Sequence, residues 1–470
     1  MPHSASEPQA QLWWIGFALA AGTFVTTLTL PYVGEEGIYT IAAMEMKVRG
    51  HYILNTLYGT NHGQPPLLNW LVIPLADLLG WSHVLVASRL VAACATIGTG
   101  LVLAWLATGL TRDARFAAFA ALVYLTSDAL IYHGWIAYTY PVLAFFTFSA
   151  IACLWMATVR QSPALAWVAA AAISCGALTK GISAYAFYAA AGFVLLCRRD
   201  SRLFLLRPSV VVPHLAAAAL FLVWHWYLIG SAAQQSMDLS AIVEKLRGFE
   251  LGNYLNQLWT FPLETWLRFV PASLLAAYAW VRGRGRRSDA NPPSAYVSTA
   301  AWIAFIGYLP YWLWPDTGTR YVMPLYPLAA LLIADALWRQ RIVTMRTIAR
   351  WLFATVAFKY VAALLIFPAY LREHRGDYAQ VAAEIEALTA GSPLYTNDVS
   401  ATGLSVVANI DSRRFPARPV QWPPTEWTSG FVLSNAEDTA TGKVIRKFAL
   451  GGKAVYLLCR GAACERRPAS

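Results

Sequence analysis

Charge is what this sequence has least of. Only 13% of its 470 residues are Asp, Glu, Lys or Arg, against about 25% in a soluble domain, while 58% are hydrophobic and the mean hydropathy is +0.46. That scarcity excludes a soluble or disordered chain. No Gly-rich phosphate loop is found, which argues against a nucleotide-sugar site. No paired His or Cys spacing supports a metal, and no cofactor is called for. There is no internal repeat of the kind many transporters carry, and no low-complexity segment beyond the short Arg/Pro stretch 282–294. Cysteine is also sparse, with six in all. Cys94, Cys153, Cys175 and Cys197 fall in apolar runs, where cysteine is a small buried residue. Cys459 and Cys464 stand in a polar tail, where their spacing leaves a disulfide open.

What is present is a series of apolar blocks long enough to cross a hydrocarbon core, which takes about 20 helical residues. Candidate spans cover 11–31, 84–109, 116–132, 137–158, 163–179, 182–197, 210–229, 264–281, 297–314, 321–338 and 349–368, about eleven crossings in total. The first lacks a basic leader and outruns a signal core, so it reads as a helix. The expectation is an all-α polytopic membrane protein with a small α/β soluble domain at its C-terminal end, divided as residues 1–370 and 371–470.

The net charge of +11 is spread over short loops, not gathered into one basic domain, which points away from nucleic acid and toward topology. Arg112 and Arg115, Arg160, the Arg198–Arg207 cluster, the arginines at 282–287, and those at 339–350 alternate with loops poor in positive charge. The positive-inside bias places the N-terminus in the cytoplasm and puts the 32–83 loop, with everything after about residue 369, on the outer face.

That first outer loop mixes Gly, Pro, Tyr and charged residues with apolar runs and reads as short interfacial helices. A second, about 230–263, holds Gln234, Gln235, Asp238, Glu244, Lys245, Arg247, Glu250, Asn253 and Asn256 above Trp259, Phe261 and Trp266. Beyond Leu371 the pattern changes: Tyr378, Val381, Ala382, Ile385 and Leu388 recur at helical spacing, and 431–433 and 454–458 read as strands.

Three groups of residues carry chemistry. The first loop runs Gly34-Glu35-Glu36-Gly37-Ile38-Tyr39, then Met44-Glu45-Met46, Gly50-His51-Tyr52, and Gly63-Gln64-Pro65-Pro66-Leu67 with Trp70. Two adjacent carboxylates just after a span offer a base for an acceptor hydroxyl, although a solvated helix start explains them equally. Leu178-Thr179-Lys180-Gly181 ends another span with an ammonium able to neutralise a phosphate or, more simply, to snorkel. Thr319-Arg320-Tyr321, followed by Pro324 and Pro327, adds a planar guanidinium at the outer mouth of a third. Two separated cations and a carboxylate pair together make the parts list for holding a lipid phosphate and activating an acceptor. His51, His62 and His133 share that face without metal spacing, Asp128 and His133 suit local hydrogen bonding, and Asp335 suits a structural or snorkelling role.

Over about residues 11–370 these motifs resemble the GT-C glycosyltransferases related to bacterial aminoarabinose transferases and, more distantly, to protein O-mannosyltransferases. The resemblance implies a multi-pass protein of the bacterial inner membrane that moves a monosaccharide from undecaprenyl phosphate to an envelope glycolipid or glycan, as in lipid A modification, by one inverting displacement. It assigns Glu35 and Glu36 to catalysis, and Lys180, Arg320 and Tyr321 to the carrier phosphate. Tyr39, Glu45, Gln64 and Tyr140 become acceptor-side or loop-support residues. Glu35 stands where the family has Asp, Gln64 replaces a Lys, and Tyr140 replaces a further Asp before Pro141. Those departures keep a rival in view: a carrier-binding relative that does not transfer, or a lipid-linked sugar transporter.

Overall fold

The computed structural model describes residues 7–230, 250–283, 295–315, 317–340, 342–437 and 441–465. The loop residues from Gln234 to Arg247, together with Arg284, Arg286, Arg287, Asp316 and Arg341, lie outside them.

The described helices are α1 (Glu7–Gly22), α2 (Glu36–Arg49), α3 (Leu67–Leu79), α4 (Val84–Thr111), α5 (Ala114–Leu125), α6 (Asp128–His133), α7 (Thr139–Arg160), α8 (Pro163–Lys180), α9 (Ile182–Leu196), α10 (Arg199–Leu205), α11 (Pro208–Gly230), α12 (Leu251–Leu267), α13 (Ala272–Gly283), α14 (Ala295–Leu313), α15 (Tyr326–Arg339), α16 (Met345–Val361), α17 (Phe367–Arg375), α18 (Tyr378–Leu388) and α19 (Ala401–Arg414). Six helical stretches among the described residues are long and apolar enough to cross a membrane: Trp81–Thr111, Thr139–Arg160, Pro163–Lys180, Pro208–Tyr227, Thr319–Arg339 and Met345–Arg375. α5 is buried on every side from Phe116 to Leu125, packed against α1, α4 and α15. That burial is why it is apolar all round.

Three of the expected spans are interrupted. The first stops at Gly22 because Thr23, Thr26 and Thr27 turn their hydroxyls back onto the carbonyls of Ala20, Thr23 and Phe24, at 2.6, 2.7 and 2.8 Å, and the chain tightens into a 3-10 turn. The run 116–132 breaks at Thr126–Ser127 into α5 and α6. The run 264–281 breaks before Ala272 into α12 and α13.

The first long loop folds as α2, a short antiparallel hairpin of β1 (Thr56–Leu57) and β2 (Thr60–Asn61), and α3. At the other end of the chain, β3 (Leu394–Thr396), β4 (Gly430–Ser434), β5 (Lys443–Leu450) and β6 (Lys453–Arg460) form a sheet in the order β3-β4-β6-β5. The β3-β4 pair is parallel and the other two are antiparallel. Cys459 and Cys464 are joined by a disulfide across the end of β6.

The sheet module grips the first loop. α2 and α19 approach closely at Gly37, where a Cβ would come within 2.6 Å of the Leu404 carbonyl oxygen. Only glycine allows that approach. The Trp422 amide donates to the Tyr58 carbonyl at 3.0 Å, its indole donates to Thr60 Oγ1 at 3.1 Å, and Tyr58 donates to the Asp398 carbonyl at 3.0 Å. Trp81, at the entry to α4, stacks on Phe415 with ring centroids 4.3 Å apart.

Candidate active site

The acidic pair splits into two roles by geometry. Glu36 is 0% exposed, and so is Arg89 of α4. The guanidinium meets the carboxylate as a fork, Nε to Oε1 at 2.8 Å and Nη2 to Oε2 at 2.6 Å. The remaining capacity of Glu36 is filled by the amides of Val33, at 2.8 Å, and Ala137, at 2.9 Å. Arg89 also donates to the carbonyls of Thr27, Leu28, Leu30 and Pro31 and stacks over Trp135, its Cζ 5.0 Å from the ring centroid. One buried cation therefore ties the turn after α1 to the start of α2 and to the chain before α7.

Glu35, the residue preceding α2, is exposed. Its amide donates to the Tyr138 hydroxyl at 2.7 Å. Gly34, at φ +58°, makes the turn that delivers it, and a side chain there would run into that same hydroxyl. With Glu36 clamped on one side and Tyr138 on the other, the Glu35 carboxylate is presented from a fixed backbone.

Facing it are the two expected cations. Lys180 ends α8, where Gly181 at φ +63° turns the chain into α9 with open space around it. Arg320 lies on a 3-10 turn, Thr319–Leu325, that leads into α15. That turn is anchored by Thr319, whose hydroxyl donates to Glu264 at 3.1 Å and whose carbonyl accepts from Tyr326 at 2.9 Å. Glu264 in turn pairs with Arg268 at 2.5 Å, and Arg268 with Asp128 at 3.2 Å.

Tyr140 and Tyr321 meet edge to face, 5.4 Å between centroids, and share the two cations. Lys180 Nζ sits 3.7 Å above the Tyr140 ring and 5.3 Å from that of Tyr321, and the Arg320 guanidinium is 5.5 Å from both. Ring faces attract ammonium and guanidinium groups, which offsets part of the cost of holding two positive charges together. Glu35 is near enough for its charge to act on both of them.

The supporting residues line up behind this arrangement. Tyr39, buried against Tyr138 at 5.7 Å, lies beside Thr139 and Gln64, and burial pushes its hydroxyl above the usual tyrosine range. Glu45 accepts from Thr56 and from the Gly59 amide at 3.0 Å, which fastens the β1-β2 hairpin to α2; burial raises its carboxyl. His62 follows the hairpin with a buried, unpartnered Nε2, feels the Glu35 charge, and is held below the ordinary histidine range by burial.

The structure thus gathers Glu35, Tyr39, Gln64, Tyr140, Lys180, Arg320 and Tyr321 at one place. It withdraws Glu36 into the interior and gives Glu45 a bracing position. Arg89 and Tyr138 were not singled out from sequence; the signal for Arg89 was an arginine inside an otherwise apolar span, where ionisable groups are costly and seldom idle. Asp128 turns to Arg268, not to His133. Asp335 pairs with Arg339 at 2.9 Å. Among the described residues no group of three or more His, Cys, Asp or Glu side chains is placed to hold a metal ion.

Residues 49–230 match the family described as dolichyl-phosphate-mannose-protein mannosyltransferase. The chain is also similar to the crystal structure of ArnT from Cupriavidus metallidurans bound to undecaprenyl phosphate, with 14% identity over 98% of this chain and 99% of that one and a TM-score of 0.70. Against the apo state of the same protein the identity is 17%, the coverage again 98% and 99%, and the TM-score 0.65. The fold is that of ArnT over 98% of this chain, as the motif resemblance implied for about residues 11–370; the likeness extends through the C-terminal sheet, which that resemblance did not cover.

Proposed function

We propose that this chain is a membrane glycosyltransferase that takes a sugar from a polyprenyl-phosphate carrier and passes it to an acceptor oxygen on the face bearing the C-terminal sheet. The observation that carries the reading is the pairing of one exposed, backbone-fixed carboxylate, Glu35, with two cations, Lys180 and Arg320, held over shared tyrosine rings. The ArnT structure with undecaprenyl phosphate has the same fold, which supports a lipid phosphate as the ligand of those cations.

In this mechanism the acceptor oxygen attacks the anomeric carbon as the carbon–oxygen bond to the carrier phosphate breaks. The bonding electrons leave with the phosphate, where Lys180 and Arg320 stabilise them, and the acceptor proton passes to Glu35. Inversion of configuration follows from the family resemblance. Glu36 acts at one remove, as the positioning residue that Arg89 holds. An apolar groove of about 320 Å³ between α12, α14 and α15, walled by Trp266, Phe305, Tyr308, Val322 and Leu325, starts on the same 3-10 turn that carries Arg320. It suits the polyprenyl chain. The acceptor is an envelope glycolipid or glycan, and the positive-inside pattern supports an inner-membrane protein with the site facing outward.

The second reading, a relative that binds the carrier without transferring, is favoured by Tyr140. Its ring lies 3.7 Å from Lys180 where many family members place an acid. Purified protein given radiolabelled undecaprenyl-phosphate sugar and envelope lipid extract separates the two. Transfer that disappears in Glu35→Gln and Lys180→Ala supports the enzyme; carrier binding without any transfer by wild type supports the binding relative.

A further inference from the structure

A cavity of about 430 Å³ lies away from the site just described, under the C-terminal module. Its floor is apolar, made by Leu30 from the turn after α1, Leu85 and Val86 from the start of α4, and Leu371 from α17. Its mouth is polar, with His83, Arg372, Asn409 and Ser412 around it. The cavity therefore sits where three helix ends meet the module, at the level where apolar helix gives way to polar chain.

Arg372 is the cation that lines the cavity, and Asp377 is the carboxylate that lines it. Arg372 is exposed, its Nε donates to the Pro368 carbonyl at 3.3 Å, and its two terminal nitrogens make no hydrogen bond or ion pair among the described residues. Two residues earlier α17 exposes Tyr370, and in the helical segment just before α17 Leu364, Leu365 and Ile366 present an exposed apolar face. A guanidinium just past such a face lies at the depth of lipid phosphates. The lining carboxylate, Asp377, is engaged as the N-cap of α18, accepting from the Gln380 amide at 2.9 Å.

We infer that this cavity binds a phosphate-bearing lipid from the leaflet on the side of the C-terminal module, with the phosphate at Arg372 and the upper acyl chain on the Leu30, Leu85, Val86 and Leu371 floor. The pairing of one free guanidinium with a roofed apolar floor selects an anionic amphiphile over a soluble anion, which would leave the floor uncovered. The floor residue Leu30 belongs to the turn that Arg89 grips through its carbonyls, so the lipid packs against the back of the segment that carries Glu35. This inference stands independently of whether the chain transfers sugar.

The test uses full-length protein in detergent with a diazirine-bearing phosphatidic acid as probe and maps the labelled peptides. Labelling is expected within 28–32, 82–86 and 371–379, and is expected to fall about fivefold in Arg372→Ala, the worth of one interfacial cation. Ser412→Trp, which fills the mouth, is expected to lower it as well, while the unfolding midpoint of Arg372→Ala stays at the wild-type value. Equal labelling by a neutral diacylglycerol probe, or equal labelling of wild type and Arg372→Ala, overturns the proposal. Full competition by soluble glycerol phosphate overturns the lipid assignment.

Discussion

Arg89 and Glu36 form a forked ion pair that is closed to solvent on both sides, with contacts of 2.8 and 2.6 Å. A pair so deep is weak evidence for stability in itself, because desolvation consumes much of the Coulombic gain. Its value lies in what it fixes. Four carbonyls of the turn after α1 also bind the guanidinium, so the path of the chain into Glu35 is set by one side chain. Arg89→Leu leaves a buried carboxylate uncompensated and frees those carbonyls. The expected cost is about 3–5 kcal/mol, seen as a lower unfolding midpoint in detergent. Glu36→Gln keeps the shape but leaves the buried Arg89 without its counter-ion and turns an amide NH2 toward N–H donors, so it is expected to be destabilising as well and to lower turnover by moving Glu35.

The tyrosine box makes a separable prediction. Lys180→Ala or Arg320→Ala removes one charge-assisted contact to a phosphate, which is worth about 1.5–3 kcal/mol, and should weaken undecaprenyl phosphate binding by about tenfold to a hundredfold. Tyr140→Phe keeps the ring face over Lys180 and is expected to bind as wild type does. Native mass spectrometry of the carrier complex measures all three. Unchanged binding in both alanine variants removes the cations from the carrier site.

How much of this was legible in the sequence depends on the range of the interaction. Lys180 and Arg320 could be found because each sits at the end of an apolar run, where a lone cation contrasts with its surroundings. Their meeting over Tyr140 and Tyr321 follows from the packing of α7, α8 and the 3-10 turn, which no local pattern encodes. Glu35 and Glu36 are chemically alike and adjacent, so only the fold shows that one points outward while the other meets Arg89. The span boundaries were misread where threonine hydroxyls compete for backbone carbonyls: Thr23, Thr26 and Thr27 count as tolerable in hydropathy yet end α1 early. The C-terminal module read correctly as helix and strand, but its grip on the β1-β2 hairpin joins residues more than three hundred apart.

Asp411, on α19, supplies a pH prediction. Its Oδ1 accepts from the Val420 amide at 2.9 Å, its Oδ2 is buried without a partner, and burial pushes the carboxyl well above the usual range. The native state therefore favours the protonated form. The resulting stability is fully present below the unfolded pKa of about 3.9 and is lost as pH rises through the raised native value. Asp411→Asn removes the charge that the native state pays to bury. It is expected to be more stable than wild type at pH 8, by about 1 kcal/mol, with the gap closing on acidification. Thermal unfolding at pH 5 and pH 8 measures this, and a gap that widens toward acid contradicts the assignment.

Trp422 tests whether the C-terminal module reaches the site mechanically. Its amide and indole hold Tyr58 and Thr60 at the tip of the hairpin, with Tyr58 edge-on to the indole at 5.6 Å, while Glu45 holds the hairpin from below. The same hairpin ends at Asn61, three residues before Gln64, which lies beside Tyr39 near the Glu35 loop. Trp422→Ala removes the indole's contacts with Thr60 and the Tyr58 ring, keeps the backbone bond to the Tyr58 carbonyl, and touches neither Lys180 nor Arg320. Deuterium uptake in 55–64 is therefore expected to rise, and turnover to fall by about tenfold if loosening displaces the acceptor-side residues from their working geometry. Carrier binding is expected to hold at the wild-type value. A variant with raised exchange but full turnover separates the module from catalysis and leaves it a stabilising cover; a variant that also loses carrier binding shows that the hairpin supports the whole site, not its acceptor side alone.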